Sequence, residues 1–437
     1  MKRSFLILLI SLIIFFLLPY QAIGEDYINI GVVGPMKYNH GKDIWNGAMM
    51  AADEINRRGG VRIGQRRMKI ELIKIDTNET MNVENATNMM EMLCFQNRVD
   101  FVVGGFRSEA VLFMQDVAMD YKKIYISIGA ALPELCQRVA QNYTRYKYYF
   151  RGGTFNSYYL GKGCFLQLDY AIKELRKQLG IKTIKVAIAA EESNWVDTLI
   201  EEAKKNFPQM GIELVGVFRS SPTSTNVSRE IRAIAKTKAP IVFTLFSSGV
   251  GITFVSQVAD FQLPVLMTGI NLEAQRSSFW ESTGGKAQYV MSVGSFCPGV
   301  EASRLTKPFV KNYMKRYGEI PAITADSYSA IAFTLIPAIE QAGSIDPDLL
   351  VNVIENREYE TPLGITSYEK DKLGRQLHEP KFGVDYSLTI GIQWIDGQMK
   401  GIWPNRYLER PGVMPLTYKG IVNMKIPPLV LETYKKY

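Results

Sequence analysis

The feature that most constrains the fold is a strand-and-helix alternation that runs through one part of the chain and then starts again. From residue 27, "YINIGVVGP" is a β-branched run, and "KDIWNGAMMAADEINRRGG" places Ile44, Ala48, Ala51, Ala52 and Ile55 on one helical stripe before Gly59 stops it. A strand "MKIELIKIDT", a helix "VENATNMMEMLCFQN", a strand "VDFVVGG", a helix from Ser108 to Tyr121 and a strand "KIYISIG" follow. Such alternation indicates βαβ units and a parallel sheet. After the Tyr- and Gly-rich stretch "RYKYYFRGGTFNSYYLGKG" the same pattern restarts at "TIKVAIAAEES" and continues to "LPVLMTG". The expected fold class is α/β, with two doubly wound, Rossmann-like lobes. Past residue 285 come one strand, two helices and short strands, too little for a third domain. They complete the first two lobes, so the chain crosses between lobes more than once, and such crossings act as a hinge. The expected boundaries are 25–151 plus 293–362 for lobe 1, and 152–292 plus 363–437 for lobe 2.

The first 24 residues stand apart. Lys2 and Arg3 precede an apolar run from Phe5 to Leu18, broken by Pro19 and followed by Ala22, Ile23 and Gly24. This reads as a secretory signal peptide, followed by Glu25 and Asp26 rather than the Cys of a lipoprotein. The competing reading, an uncleaved anchor, needs roughly 17 to 25 apolar residues, more than this run supplies. No later stretch approaches a span, so the expected location is periplasmic or extracytoplasmic, as a soluble and monomeric protein.

Without Lys2 and Arg3 the formal charge of +8 falls to +6, and these charges are dispersed except in "RRGGVRIGQRRMK". That patch has no interleaved aromatics, which excludes nucleic acid as a partner. Cys94, Cys136, Cys164 and Cys297 show no CxxC spacing; export permits disulfides, and buried free thiols are the other option. His40 and His378 are the only histidines, which argues against a histidine metal site or a His-dependent triad. No GxSxG, HExxH, P-loop or dinucleotide motif occurs. Neither an enzyme nor a cofactor is therefore expected. Four sequons, at Asn78, Asn85, Asn142 and Asn226, read as chance occurrences in an Asn-rich chain.

In open α/β sheets, ligands bind outside the carboxyl ends of strands, and "VDFVVGGFRSEAV" is such a place. Gly104 and Gly105 let backbone approach a ligand, Ser108 is expected to cap the following helix, and the helix amides favour an anionic oxygen. Two further turns share this character, "SIGAALPEL" after the next strand and "VGPMKYNHGKD" after the first.

Together with "EINRRGGV" and "YFRGGTFNSYYLG", these turns resemble the leucine/isoleucine/valine-binding family of periplasmic solute receptors, of type I periplasmic binding fold. The resemblance runs from about residue 27 to "IGIQWIDGQMKGIWP". It implies two lobes joined by three crossovers, closing on a solute that an ABC permease and its nucleotide-binding subunits then import. Position by position it places the site on Ser108, Gly129, Ala131 and Asn156, and, on the second lobe, on Trp195, Phe246 and Asn271, with His40 at the mouth.

Where amino-acid binders of this family use a hydroxyl this chain has Ala131, and where they use acids it has Asn156 and Asn271. A buried ammonium needs charge-assisted partners, so the expected solute is an organic carboxylate or amide, held by Arg107 and Ser108 and covered by Trp195 and Phe246. The alternative is a branched-chain amino acid, with Glu191, Glu192 or Glu273 supplying the acid. The competing role is a soluble periplasmic sensor that passes occupancy to a membrane partner.

Overall fold

A computed structural model describes residues 26–153, 155–383, 385–404 and 418–435; the leader expected at 1–24 lies outside them. Among the described residues no helix is long and apolar enough to cross a membrane.

The first lobe is built on a six-stranded sheet of β1 (Tyr27–Gly34), β2 (Val61–Ile63), β3 (Arg66–Asp76), β4 (Phe101–Gly104), β5 (Ile124–Ser127) and β6 (Tyr149–Arg151), in the order β2-β3-β1-β4-β5-β6. All pairings are parallel except the β2–β3 hairpin. Helices cover both faces, which is why the central strands are apolar on each side: β4 and β5 are buried at every position. Helix α1 (Asn39–Arg57) lays its stripe Ile44, Ala48, Ala51, Ala52 and Ile55 into this core, and α2 (Ser108–Asp120) contributes Val111 and Met114.

The second lobe repeats the plan with β7 (Ile184–Glu191), β8 (Ile212–Ser220), β9 (Ile241–Phe246) and β10 (Leu266–Asn271), all parallel in the order β10-β9-β7-β8. Helix α3 (Ser157–Leu179) packs on it, and α4 (Asn194–Asn206) follows β7. An antiparallel sheet of β11 (Met291–Gly294), β16 (Ile390–Ile395) and β17 (Gln398–Trp403) extends this lobe; the Ser292 hydroxyl bonds both the amide and the carbonyl of Asn271 at the end of β10.

Between β11 and β16 the chain returns to the first lobe through α5 (Thr306–Tyr317) and two small hairpins, β12 (Tyr359–Thr361) with β13 (Gly364–Thr366), and β14 (Tyr368–Lys370) with β15 (Gln376–Pro380). Two expected boundaries move. β14 and β15, assigned from sequence to lobe 2, belong with lobe 1, because Tyr368 is part of its core and His378 stacks on Phe150 of β6 at 4.0 Å. Val293, assigned to lobe 1, lies in the second core, because β11 pairs with β16. The last crossover therefore follows Pro380.

A buried ion pair ties the first and last crossovers together: Arg151 Nε donates to Glu379 Oε2 at 2.8 Å, and Glu379 Oε1 accepts from the Asn156 amide at 3.0 Å. The same guanidinium donates to the carbonyls of Ala130 and Leu132. All four cysteines are buried and free, which decides between the two options left open by the sequence.

Candidate functional site

β1 lies between β3 and β4, and β7 lies between β8 and β9. At each of these strands the chain departs to opposite sides of the sheet, which opens a crevice at the carboxyl ends. The two crevices face each other across a cavity of about 640 Å³ lined by both lobes, within the range of small-molecule sites.

The first-lobe wall comes from the turns after β1, β4 and β5. Gly104 and Gly105 have φ of +119° and +85°, values that favour glycine, and a Cβ on Gly104 would run into the Val33 carbonyl. The amides that follow are already engaged: Glu79 Oε1 accepts from Phe106 N at 2.7 Å and from Arg107 N at 3.2 Å. Glu79 is fully buried, and that burial pushes its carboxyl up to about 7. Ser108 is the first residue of α2 rather than its cap, and Arg107 holds the cap position without a side-chain capping bond to the helix amides. The Ser108 hydroxyl reaches across to accept from the amides of Ala131 (3.1 Å) and Leu132 (3.2 Å), pinning the second turn to the first. Gly129 and Ala131 line the cavity as expected. Arg107 also lines it, but its guanidinium is engaged by Glu109 at 3.4 Å and the Thr80 carbonyl at 3.5 Å. His40 is buried rather than at the mouth, stacked on Phe106 at 4.1 Å. Burial holds its imidazole down at about 4, so it is neutral at ordinary pH.

The second-lobe wall comes from the turns after β7, β9 and β10. Its organiser is Glu191, whose carboxylate accepts from Trp195 Nε1 at 2.8 Å, from Ser247 N at 2.9 Å, from Ser248 Oγ at 2.7 Å and from the Ser247 hydroxyl. This fixes the Trp195 indole at the cavity edge, where the sequence placed it. Glu273 also lines the cavity, 7% exposed, with Asn39 Nδ2 at 3.5 Å and His40 Nε2 at 3.9 Å. Burial raises its carboxyl above the usual range.

Three expected site residues lie elsewhere. Phe246 points into the core of the second lobe beside Phe254, because alternate residues of a strand face opposite sides of the sheet. Asn271 is buried under α-helical backbone, donating to the Gly251 carbonyl at 3.2 Å. Asn156 caps α3 by accepting from the Tyr159 amide at 2.9 Å, and faces a different, hinge-side groove. The acids of the cleft are instead Glu191, Glu192 and Glu273, the set named for the amino-acid alternative.

The lobes touch around this cavity. Arg276 donates to Asp43 at 2.5 Å, the Asn194 amide at the start of α4 donates to Glu109 at 3.3 Å, and the Ile323 amide donates to Gln275 Oε1 at 3.3 Å. The described conformation is thus a closed one.

Residues 28–378 match the family model described as "Periplasmic binding protein". The chain belongs to the periplasmic binding protein family. A curated relative, the amino acid binding protein of Pseudomonas aeruginosa, is 22% identical over 358 residues, covering 78% of this chain and 86% of that one. Among solved structures, an ABC transporter solute-binding protein from R. palustris in complex with benzoate matches this periplasmic binding protein with a TM-score of 0.70 at 15% identity, over 90% of this chain and 99% of the other. The branched-chain amino acid substrate-binding protein LivJ from Streptococcus pneumoniae, in complex with isoleucine, matches with a TM-score of 0.67 at 18% identity, over 86% and 98%. A Rhodopseudomonas palustris protein in complex with 3,4-dihydroxybenzoic acid matches with a TM-score of 0.69 at 20% identity, over 92% and 99%. At these identities the structural likeness concerns the type I periplasmic binding fold, two α/β lobes with parallel sheets.

Proposed function

We propose that this chain is an extracytoplasmic solute-binding protein that closes its two lobes around a small organic solute, without transforming it, and presents the closed form to an ABC permease and its nucleotide-binding subunits. One observation carries the reading: a cavity of about 640 Å³ whose walls are strand-end turns of both lobes. Lobes hinged on crossovers rotate as rigid bodies, so such a cavity assembles on closure and disperses on opening. Its lining mixes aromatic and aliphatic groups, among them Tyr38, Phe106, Trp195, Ile252 and Leu272, with a few polar ones, which suits a solute with an apolar or aromatic body. Relatives whose complexes contain benzoate, 3,4-dihydroxybenzoic acid or isoleucine support a solute of this size.

The test is a thermal-shift screen of the mature protein against organic acids, amides, amines and amino acids, followed by small-angle scattering with each hit. A ligand at 100 times its dissociation constant adds about 2.7 kcal/mol, and binding should reduce the radius of gyration. Turnover of any hit by the isolated protein, or binding with no compaction, would count against the reading.

A further inference from the structure

The polar groups of the cleft divide unequally. Those suited to an anion are already engaged by the protein's own oxygens: Glu79 takes the Phe106 and Arg107 amides, and the Ser108 hydroxyl takes those of Ala131 and Leu132. Both cations that line the cavity sit toward its rim with acids of their own, Arg107 with Glu109 at 3.4 Å and Lys37 with Asp76 at 3.6 Å. His40 adds no charge, being buried and stacked on Phe106.

The acids show the opposite balance. Glu191 has four donors, but Glu273, more than nine-tenths buried, is bonded only by an amide at 3.5 Å and approached by a neutral imidazole at 3.9 Å, while the Arg276 guanidinium, whose charge also bears on it, is bonded to Asp43 instead. A carboxylate has about four acceptor positions, and one left short of partners in a buried site is costly. Glu192 adds a third acid to the same cavity. Tyr38, Phe106 and Trp195 also line it, and aromatic rings attract an ammonium.

We propose that the solute is an organic amine of net positive charge, its ammonium seated on Glu273 and its apolar body against Trp195, Ile252 and Leu272. This rests on the solute-binding reading and narrows it, in place of the carboxylate expected from sequence. Such an amine needs no carboxylate of its own to be held, because what the cleft lacks is a donor to Glu273.

Two matched series test it by calorimetry on the mature protein: 2-phenylethylamine, phenylalanine and 3-phenylpropanoate, and isopentylamine, leucine and 4-methylpentanoate, with putrescine and choline added. The expected result is that an amine binds about tenfold or more tighter than its zwitterionic and acidic counterparts, since each added carboxylate meets like charge. Glu273→Gln should weaken that amine by roughly tenfold or more, with an unchanged circular dichroism spectrum, and Glu273→Asp should recover part of the loss. Tighter binding of the zwitterion or the acid, no binding by any amine, or an unchanged affinity in Glu273→Gln overturns the proposal. If an acid or zwitterion binds and compacts the protein, solute binding stands while the amine assignment falls; if no probe compacts it in scattering, both fall.

Discussion

Arg276 Nη1 lies 2.5 Å from Asp43 Oδ2, and the two residues belong to opposite lobes. Tyr313 donates to the other Asp43 oxygen at 3.0 Å, and Glu319 stands 3.7 Å from Arg276. Both members of the pair are buried. Opening the cleft would hydrate them, so the pair belongs to closure rather than to either lobe alone. Removing one partner of a buried pair costs about 3–5 kcal/mol. Because that cost falls on the closed form, Arg276→Met should weaken solute binding by roughly 100-fold or more, while Asp43→Leu/Arg276→Met recovers much of it. Calorimetry checks this, and an unchanged dissociation constant in Arg276→Met would remove the pair from the closing mechanism.

Two buried acids with strongly raised carboxyls contribute to the pH dependence of stability. Burial pushes Glu79 up to about 7 and Asp326 up to about 8, both far above their unfolded values. A carboxyl raised in this way binds its proton more tightly in the folded state. Its contribution is fully present below the unfolded value and is lost as pH rises through the folded one. Thermal stability should therefore fall between about pH 5 and 8, by about 3 kcal/mol for Glu79 alone. Glu79→Gln, which keeps an acceptor for the Phe106 and Arg107 amides, should flatten part of that slope in scanning calorimetry. An equal slope in the variant would show that Glu79 is not responsible.

The alternation of strands and helices was legible because burial imposes it on residue type, and so were the turns after β4 and β5. Ser108, Gly129 and Ala131 all reach the cleft. What the sequence misplaced depends on side-chain direction. Phe246 and Ser247 are adjacent, yet one faces the core and the other the cavity, and a shift of one residue reverses the face in a strand. Asn271 and Glu273 are two apart across the end of β10, where the chain turns, so only Glu273 enters the cleft. Glu79 gave no signal at all: its role depends on a loop after β3 meeting a turn some thirty positions further on. The third crossover was misplaced for a similar reason, since nothing local in "SYEKDKLGRQLHEP" says which lobe Tyr368 and His378 pack against.

The reassigned residues predict separable phenotypes. Phe246→Ala opens a hole in the second core and should cost about 3–5 kcal/mol of stability, with little change in affinity for a solute once the protein is folded. Trp195→Ala should do the reverse: a smaller loss of stability, and a loss of affinity of roughly tenfold or more. Melting temperature and calorimetry on the same preparations separate the two, and a large affinity loss in Phe246→Ala would return that ring to the site.

Arg107 should matter little to binding. Its guanidinium is about 30% exposed and already engaged by Glu109 and Thr80, and exposed ion pairs contribute about 0–1 kcal/mol. Arg107→Ala should change the affinity of any solute by no more than roughly fivefold. A complete loss of binding would show that the side chain swings onto an anionic ligand, against the amine assignment.

The affinity for an amine should fall on acidification, for a reason that can be traced to one group. Burial raises the Glu273 carboxyl, while the nearby Arg276 and the Asn39 amide pull it down. The ammonium needs the ionised form, so binding to the fraction that is protonated releases a proton. As pH falls through the raised value, that fraction grows and the affinity drops, by at most about tenfold per pH unit for a single group. His40, held at about 4, charges only in more acidic solution, where it places a like charge beside the bound ammonium and steepens the loss. Calorimetry in buffers of different ionisation enthalpy would register the released protons directly. The slope should persist in Glu79→Gln, because Glu79 lies behind the turn rather than in the cavity, and in Glu273→Gln only the His40 contribution in more acidic solution should remain. A flat profile in the unmodified protein would mean that Glu273 does not hold the solute's charge.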